Sequence, residues 1–130
     1  MNKSVLISGY GSIGRRHAYI LSRLVKRKNL TILTNQKLTN FQTIKNIKAL
    51  SKVNPHYIVI SNPTSDHINK VKFIEKNFNN KTILVEKPLF SKPNKINIKK
   101  NKLFVGYNLR FNPIINFLKE KVKSKKIWSV

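Results

Sequence analysis

Ser4-Val5-Leu6-Ile7-Ser8-Gly9-Tyr10-Gly11-Ser12-Ile13-Gly14 decides the fold. Residues 4–8 are a short apolar run rich in branched side chains and stopped by glycine, the pattern of a buried strand. From Ser12 to about Lys28, Ile13, Ala18, Ile20, Leu21, Leu24 and Val25 recur at helical spacing, and basic residues close the run as suits a helix C-terminus. Between strand and helix stands G-x-G-x-x-G. In that position Gly9 permits the tight turn, Gly11 lets backbone N–H groups approach a pyrophosphate, and Gly14 allows the helix to pack closely on the strand. The start of the helix then offers unpaired N–H donors and a partial positive charge to phosphates.

The pattern continues outward. Leu30 to Leu33 (LTIL) reads as a second strand and Phe41 to Thr43 as a brief third one. Ile44 to Ser51 suggests a short helix closed by Asn54-Pro55. Tyr57 to Ile60 (YIVI) is the clearest strand. Pro63-Thr64-Ser65-Asp66 opens a helix striped by Ile68, Val71, Ile74 and Phe78. Thr82 to Val85 (TILV) and Leu103 to Tyr107 complete the strands, separated by a polar, patternless stretch over residues 91–101. A last amphipathic helix runs from Pro113 to about Lys123. Apolar strands alternating with helices predict an α/β fold: a doubly wound, mostly parallel sheet covered on both faces, the Rossmann arrangement.

Composition narrows the class. The chain has 130 residues, no cysteine, and no apolar stretch near the length of a membrane span, so disulfides, thiolate chemistry and a transmembrane anchor are not expected. No signal-peptide pattern is present, and a cytoplasmic location is expected. Lys and Arg total 27 against four acids, for a net charge of +23. Clustered cations would point to nucleic acid. Here 22 of the 27 are lysines scattered along the chain, beside inflated counts of Asn and Ile. That trio is the imprint of an AT-rich genome, with Lys at solvated positions, so no specific nucleic-acid partner is expected.

Several residues carry candidate chemistry. A carboxylate is expected about 20 residues past the glycines to bind a ribose 2′-hydroxyl, but the position falls on Thr34-Asn35, followed by Gln36-Lys37. Its absence leans toward NADP over NAD. Ser61 to His67 leaves the best strand at the edge that faces the ligand crevice, although Asp66 also suits a helix cap and His67 a surface position. Glu86-Lys87-Pro88 leaves another strand at the same edge, where Lys87 could hydrogen-bond a substrate hydroxyl as hydride leaves. The alternative for Glu86 and Lys87 is a plain surface ion pair.

The segments GYGSIGRRH (9–17), SNPTSDH (61–67), VEKPL (85–89) and VGYNLRFNP (105–113) together resemble the N-terminal half of the Gfo/Idh/MocA family. The resemblance covers residues 3 to 130 and implies an NAD(P)-dependent oxidoreductase acting on a small polyol or sugar derivative. It implies pyrophosphate contacts from Gly9, Gly11, Ser12 and Ile13, beside Gly14 of the same fingerprint. It sets Asn62 and Pro63 along the groove with His67 close behind, while the fingerprint count alone sets Thr34 and Asn35 at the ribose. Lys87 becomes the catalytic lysine, with Glu86 beside it, and Asn108 and Arg110 lie on the substrate side. No metal is implied.

The chain also departs from that family. Residues 1–110 correspond to the nucleotide-binding domain. Residues 111–130 correspond only to a connecting helix and the first strand, ending near Ile127-Trp128, of a truncated α+β second domain. The family's usual catalytic His lies in that second domain and has no counterpart, because His17, His56 and His67 all fall before it. The stretches 35–56 and 91–101 are also shorter than in the family. The missing part would come from a complementing C-terminal domain, or the chain would associate as a homo-oligomer. A non-catalytic dinucleotide-binding module, one subunit of a split enzyme, and a basic nucleic-acid-binding protein are the readings set against it.

Overall fold

The computed structural model describes residues 3–123. Strands of three or four residues are interspersed with helices: β1 (Val5–Ser8), α1 (Ser12–Leu24), β2 (Leu30–Leu33), β3 (Gln42–Ile44), α2 (Leu50–Val53), β4 (Tyr57–Ile60), α3 (Thr64–Asn77), β5 (Thr82–Val85), β6 (Lys102–Val105) and α4 (Pro113–Val122). The six strands form one sheet in the order β3-β2-β1-β4-β5-β6, and every pairing is parallel. The order reverses between β1 and β4. This is the doubly wound Rossmann fold, and a crevice opens at that switch point beyond the strands' carboxyl ends.

The four inner strands, β2, β1, β4 and β5, are mostly apolar because both sheet faces are covered there, whereas the edge strands β3 and β6 carry exposed residues. On one face Val5, Ile7, Leu30, Ile32 and Val59 pack beneath Ala18 of α1. On the other, Leu6, Ile58, Ile60, Ile83 and Val85 pack against Leu50 of α2 and Val71 and Ile74 of α3. Each such side chain contributes roughly 1.5–3 kcal/mol by leaving water.

Local chemistry sets the boundaries. α1 stops at Leu24 rather than near Lys28, because Val25 turns extended and packs with Leu21 on the core; the basic residues then form a 3-10 turn over Arg27–Asn29. The expected helix over 44–51 starts later. Asn46 accepts from Lys48 N–H at 2.9 Å and opens a 3-10 turn at Ile47–Ala49, which runs into α2. Asn54, in the left-handed region at φ 41°, ends α2. The strand expected over 41–43 is displaced by one residue, and the last strand begins at Lys102 and ends at Val105.

The stretch 91–101 has no regular element but is anchored. Ile96 and Ile98 pack on the core, and Glu75 accepts from the N–H groups of Lys99 and Lys100 and from the Asn101 side chain. At α4, Asn112 caps the helix by accepting from Ile114 N–H, with Pro113 in the first turn where a missing N–H costs nothing. Ile114, Phe117 and Leu118 of this helix remain exposed, as does Phe104 of β6. The strand expected near Ile127-Trp128 lies outside the described residues.

Candidate functional site

The glycine turn is built by contacts that only glycine tolerates at two of its positions. Gly9 sits at φ +95°, donates to Leu33 O at 3.0 Å, and a Cβ there would stand 2.8 Å from Asn62 N. A Cβ on Gly14 would run into the carbonyl of Gly9. Gly11 differs: a Cβ there would meet nothing within 4 Å. Its carbonyl starts α1, and no side chain caps that helix. The first-turn N–H groups therefore face open space in front of Gly11, a cradle suited to a pyrophosphate.

The facing wall is the segment after β4. Ser8 Oγ donates to Asn62 Oδ1 at 2.6 Å, and Ser61 Oγ donates to the carbonyls of Ser8 and Gly9 at 3.1 and 3.2 Å. Behind that wall lies His67, which is 1 % exposed and therefore not the surface residue its local sequence suggested. Its Nε2 stands 2.9 Å from Asn62 O, and its Nδ1 stands 3.1 and 3.2 Å from the carbonyls of Pro88 and Leu89. The ring thus ties the Asn62 segment to the Glu86-Lys87-Pro88 segment, whose Lys87–Pro88 bond is cis. Asp66 lies in the first turn of α3 without capping it by a side-chain hydrogen bond.

Two cavities flank the turn. Toward β2 and β3, a cavity of about 250 Å³ is lined by Thr34, Asn35, Lys45, Asn62, Asp66 and Lys70 with Gly9. Toward β5 and β6, a cavity of about 380 Å³ brings Glu86, Lys87, Asn108 and Arg110 together with Ile13, His17 and Phe104. Glu86 does not pair with Lys87. Its Oε1 lies 2.7 Å from His17 Nε2, and its carboxylate packs close over Gly106, where a Cβ would stand 3.2 Å from it. Burial, and then the charge of Glu86, raise the phenol of Tyr57 above its ordinary 10.0.

Of the candidate residues from the sequence, Gly9, Thr34, Asn35 and Asn62 line the smaller cavity and Ile13, Glu86, Lys87, Asn108 and Arg110 the larger; Gly11, Ser12, Gly14 and Pro63 line neither, and His67 is buried behind Asn62. Sequence reasoning gave no role to His17, Lys45 or Lys70. His17 stands four residues after Ile13, one turn along the same helix face, which was a readable signal. The two lysines offered none in a chain with 22 of them.

No family model and no curated protein matches the chain. Solved structures do match its fold. A scyllo-inositol dehydrogenase from Lactobacillus casei, with bound NAD(H) and scyllo-inositol, superposes with TM-score 0.71 at 15% identity, over 99% of this chain and 43% of that one. A myo-inositol 2-dehydrogenase from Lactobacillus plantarum gives TM-score 0.72 at 19% identity, over 100% and 43%. A pyrroline carboxylate reductase from Plasmodium falciparum, with NADP bound, gives 0.55 at 17% identity over 65% and 33%. The chain spans less than half the length of these proteins, and likeness at such identity establishes the fold.

Proposed function

We propose that this chain is the dinucleotide-binding part of an NAD(P)-dependent oxidoreductase of the Gfo/Idh/MocA type, acting on a small polyol or sugar derivative. One observation carries the reading: a G-x-G-x-x-G turn at the switch point of an all-parallel sheet, with open space in front of Gly11. The ordered Ser61–His67 and Glu86–Pro88 segments on the same crevice support it, as does the overall likeness to the inositol dehydrogenases. The lack of a carboxylate after β2 favours NADP over NAD.

In this reading the first-turn N–H groups of α1, at Ser12, Ile13 and Gly14, would hold the pyrophosphate, and Asn62 and Pro63 would line the groove. The nicotinamide would supply the hydride acceptor or donor. Lys87 would hold the substrate oxygen and stabilise its charge as the hydroxyl proton leaves. Asn108 and Arg110 would orient the remaining hydroxyls from the far side of the larger cavity. In this reading the nucleotide-binding domain would end near residue 110, and a complementing C-terminal domain or a second copy of the chain would cover the larger cavity. The proposed setting is cytoplasmic.

The test is a titration of the purified chain with NADPH and NADH at moderate salt, followed by nicotinamide fluorescence, with Gly11→Asp as control. Saturable binding that the variant loses supports the reading. A folded chain that binds neither cofactor sinks it.

A further inference from the structure

We infer that the smaller cavity receives a phosphate on the adenosine ribose, held by Lys45 from one wall and Lys70 from the other. The inference rests on the dinucleotide reading above and names the residues that would select the cofactor. Thr34 N–H donates to Ile44 O at 3.0 Å, which joins the ends of β2 and β3 and sets Lys45 beside Thr34 and Asn35. On the opposite wall, α3 presents Asp66 and, one turn later, Lys70. Lys37, the ammonium nearest in sequence, is exposed and is not among the residues lining this cavity.

The electrostatics follow from the lining. Two ammonium groups face one carboxylate, from Asp66, so a phosphate monoester carrying roughly −1.5 to −2 charge finds net attraction. Lysine donates from three N–H bonds and phosphate oxygens only accept, so each lysine can hold the group from its own wall. A ribose diol without phosphate would find no carboxylate at the end of β2. It would have to reach Asp66 across the cavity.

The experiment compares NADPH and NADH affinities of the whole chain in wild type, Lys45→Ala, Lys70→Ala and Asp66→Asn. Lys52→Ala, on the exposed side of α2, is the charge-matched control. Wild type is expected to bind NADPH at least about tenfold more tightly than NADH. Loss of either cavity lysine should raise the NADPH dissociation constant about tenfold and leave NADH within about twofold, the size of one lost charged hydrogen bond. Asp66→Asn should tighten NADPH, and Lys52→Ala should leave the ratio unchanged. Equal affinity for the two cofactors in wild type overturns the inference while the dinucleotide reading stands. So does tighter NADH binding that Asp66→Asn weakens, because Asp66 then takes the ribose hydroxyls. Binding of neither cofactor overturns both.

Discussion

His17 Nε2 lies 2.7 Å from Glu86 Oε1, joining the second turn of α1 to the end of β5. Among the described residues this is the one carboxylate within salt-bridge distance of a basic side chain, in a protein with 27 Lys and Arg. Both side chains are about four-fifths shielded, so the contact is less screened than a surface pair. His17→Ala leaves a part-buried carboxylate without its donor, at a cost of about 1–3 kcal/mol. A fall in melting temperature of roughly 5–10 °C is expected. His17→Gln, which keeps a donor, should recover much of it. An unchanged melting temperature in His17→Ala would show that the pair holds nothing.

The glycines separate folding from binding. Gly14→Ala drives a Cβ into the carbonyl of Gly9 and should destabilise the chain by about 1–3 kcal/mol through forced backbone shifts. Gly11→Asp points into open space and should leave the melting temperature within a degree or two while abolishing cofactor binding. Thermal scans of the two variants check the contrast; a Gly11→Asp chain that unfolds early contradicts it.

His67→Ala removes a buried ring that faces three carbonyls on two segments. Cavity formation and unsatisfied acceptors together should cost about 2–4 kcal/mol, read as a lower urea midpoint. Because the ring ties Asn62 to Pro88, cofactor affinity should fall with it under conditions where the variant is still folded. A variant with wild-type affinity would separate the tie from the crevice.

Glu75 supplies a pH dependence. Burial raises its carboxyl pKa, but hydrogen bonds from the Asn101 side chain and the Lys100 and Lys99 backbone, with the charge of Lys100, outweigh that and lower it below the ordinary 4.5. A depressed folded-state value means the stabilisation is present above the unfolded value of 4.5 and is lost as pH falls through the lower folded value. Glu75→Gln should therefore be less stable than wild type at pH 7, and the gap should close on acidification below that window. A gap that stays constant across the acid range would refute the assignment.

Much of this fold was legible because its signals are local. The apolar runs at 5–8, 30–33, 57–60 and 82–85 become four neighbouring buried or half-buried strands, and the glycine spacing at 9, 11 and 14 names the turn, although the tight contacts of Gly9 itself are with Ser61 and Asn62. What stayed hidden depends on contacts between distant residues. His67 reads as a surface residue until the Pro88 segment closes over it, 21 positions away. The partner of Glu86 is not its neighbour Lys87 but His17, 69 positions away. Lys45 and Lys70 differ from twenty other lysines only by the cavity they share.

The bond from Ser8 Oγ to Asn62 Oδ1 spans 54 positions of chain, and it also sets a timetable. No strand pairing in this sheet is closed by a tight turn, so loop entropy is lost before any pairing returns free energy. During synthesis, β1 leaves the ribosome with its neighbour on one edge, β4, still unmade. At about 5–20 residues per second, that wait lasts on the order of 3–10 seconds. For that interval Leu6 and Ile7 have an open strand edge beside them, where another nascent chain could pair. Of all the strand pairs in the sheet, β1 and β4 are thus the two that wait longest for each other while the chain is being made.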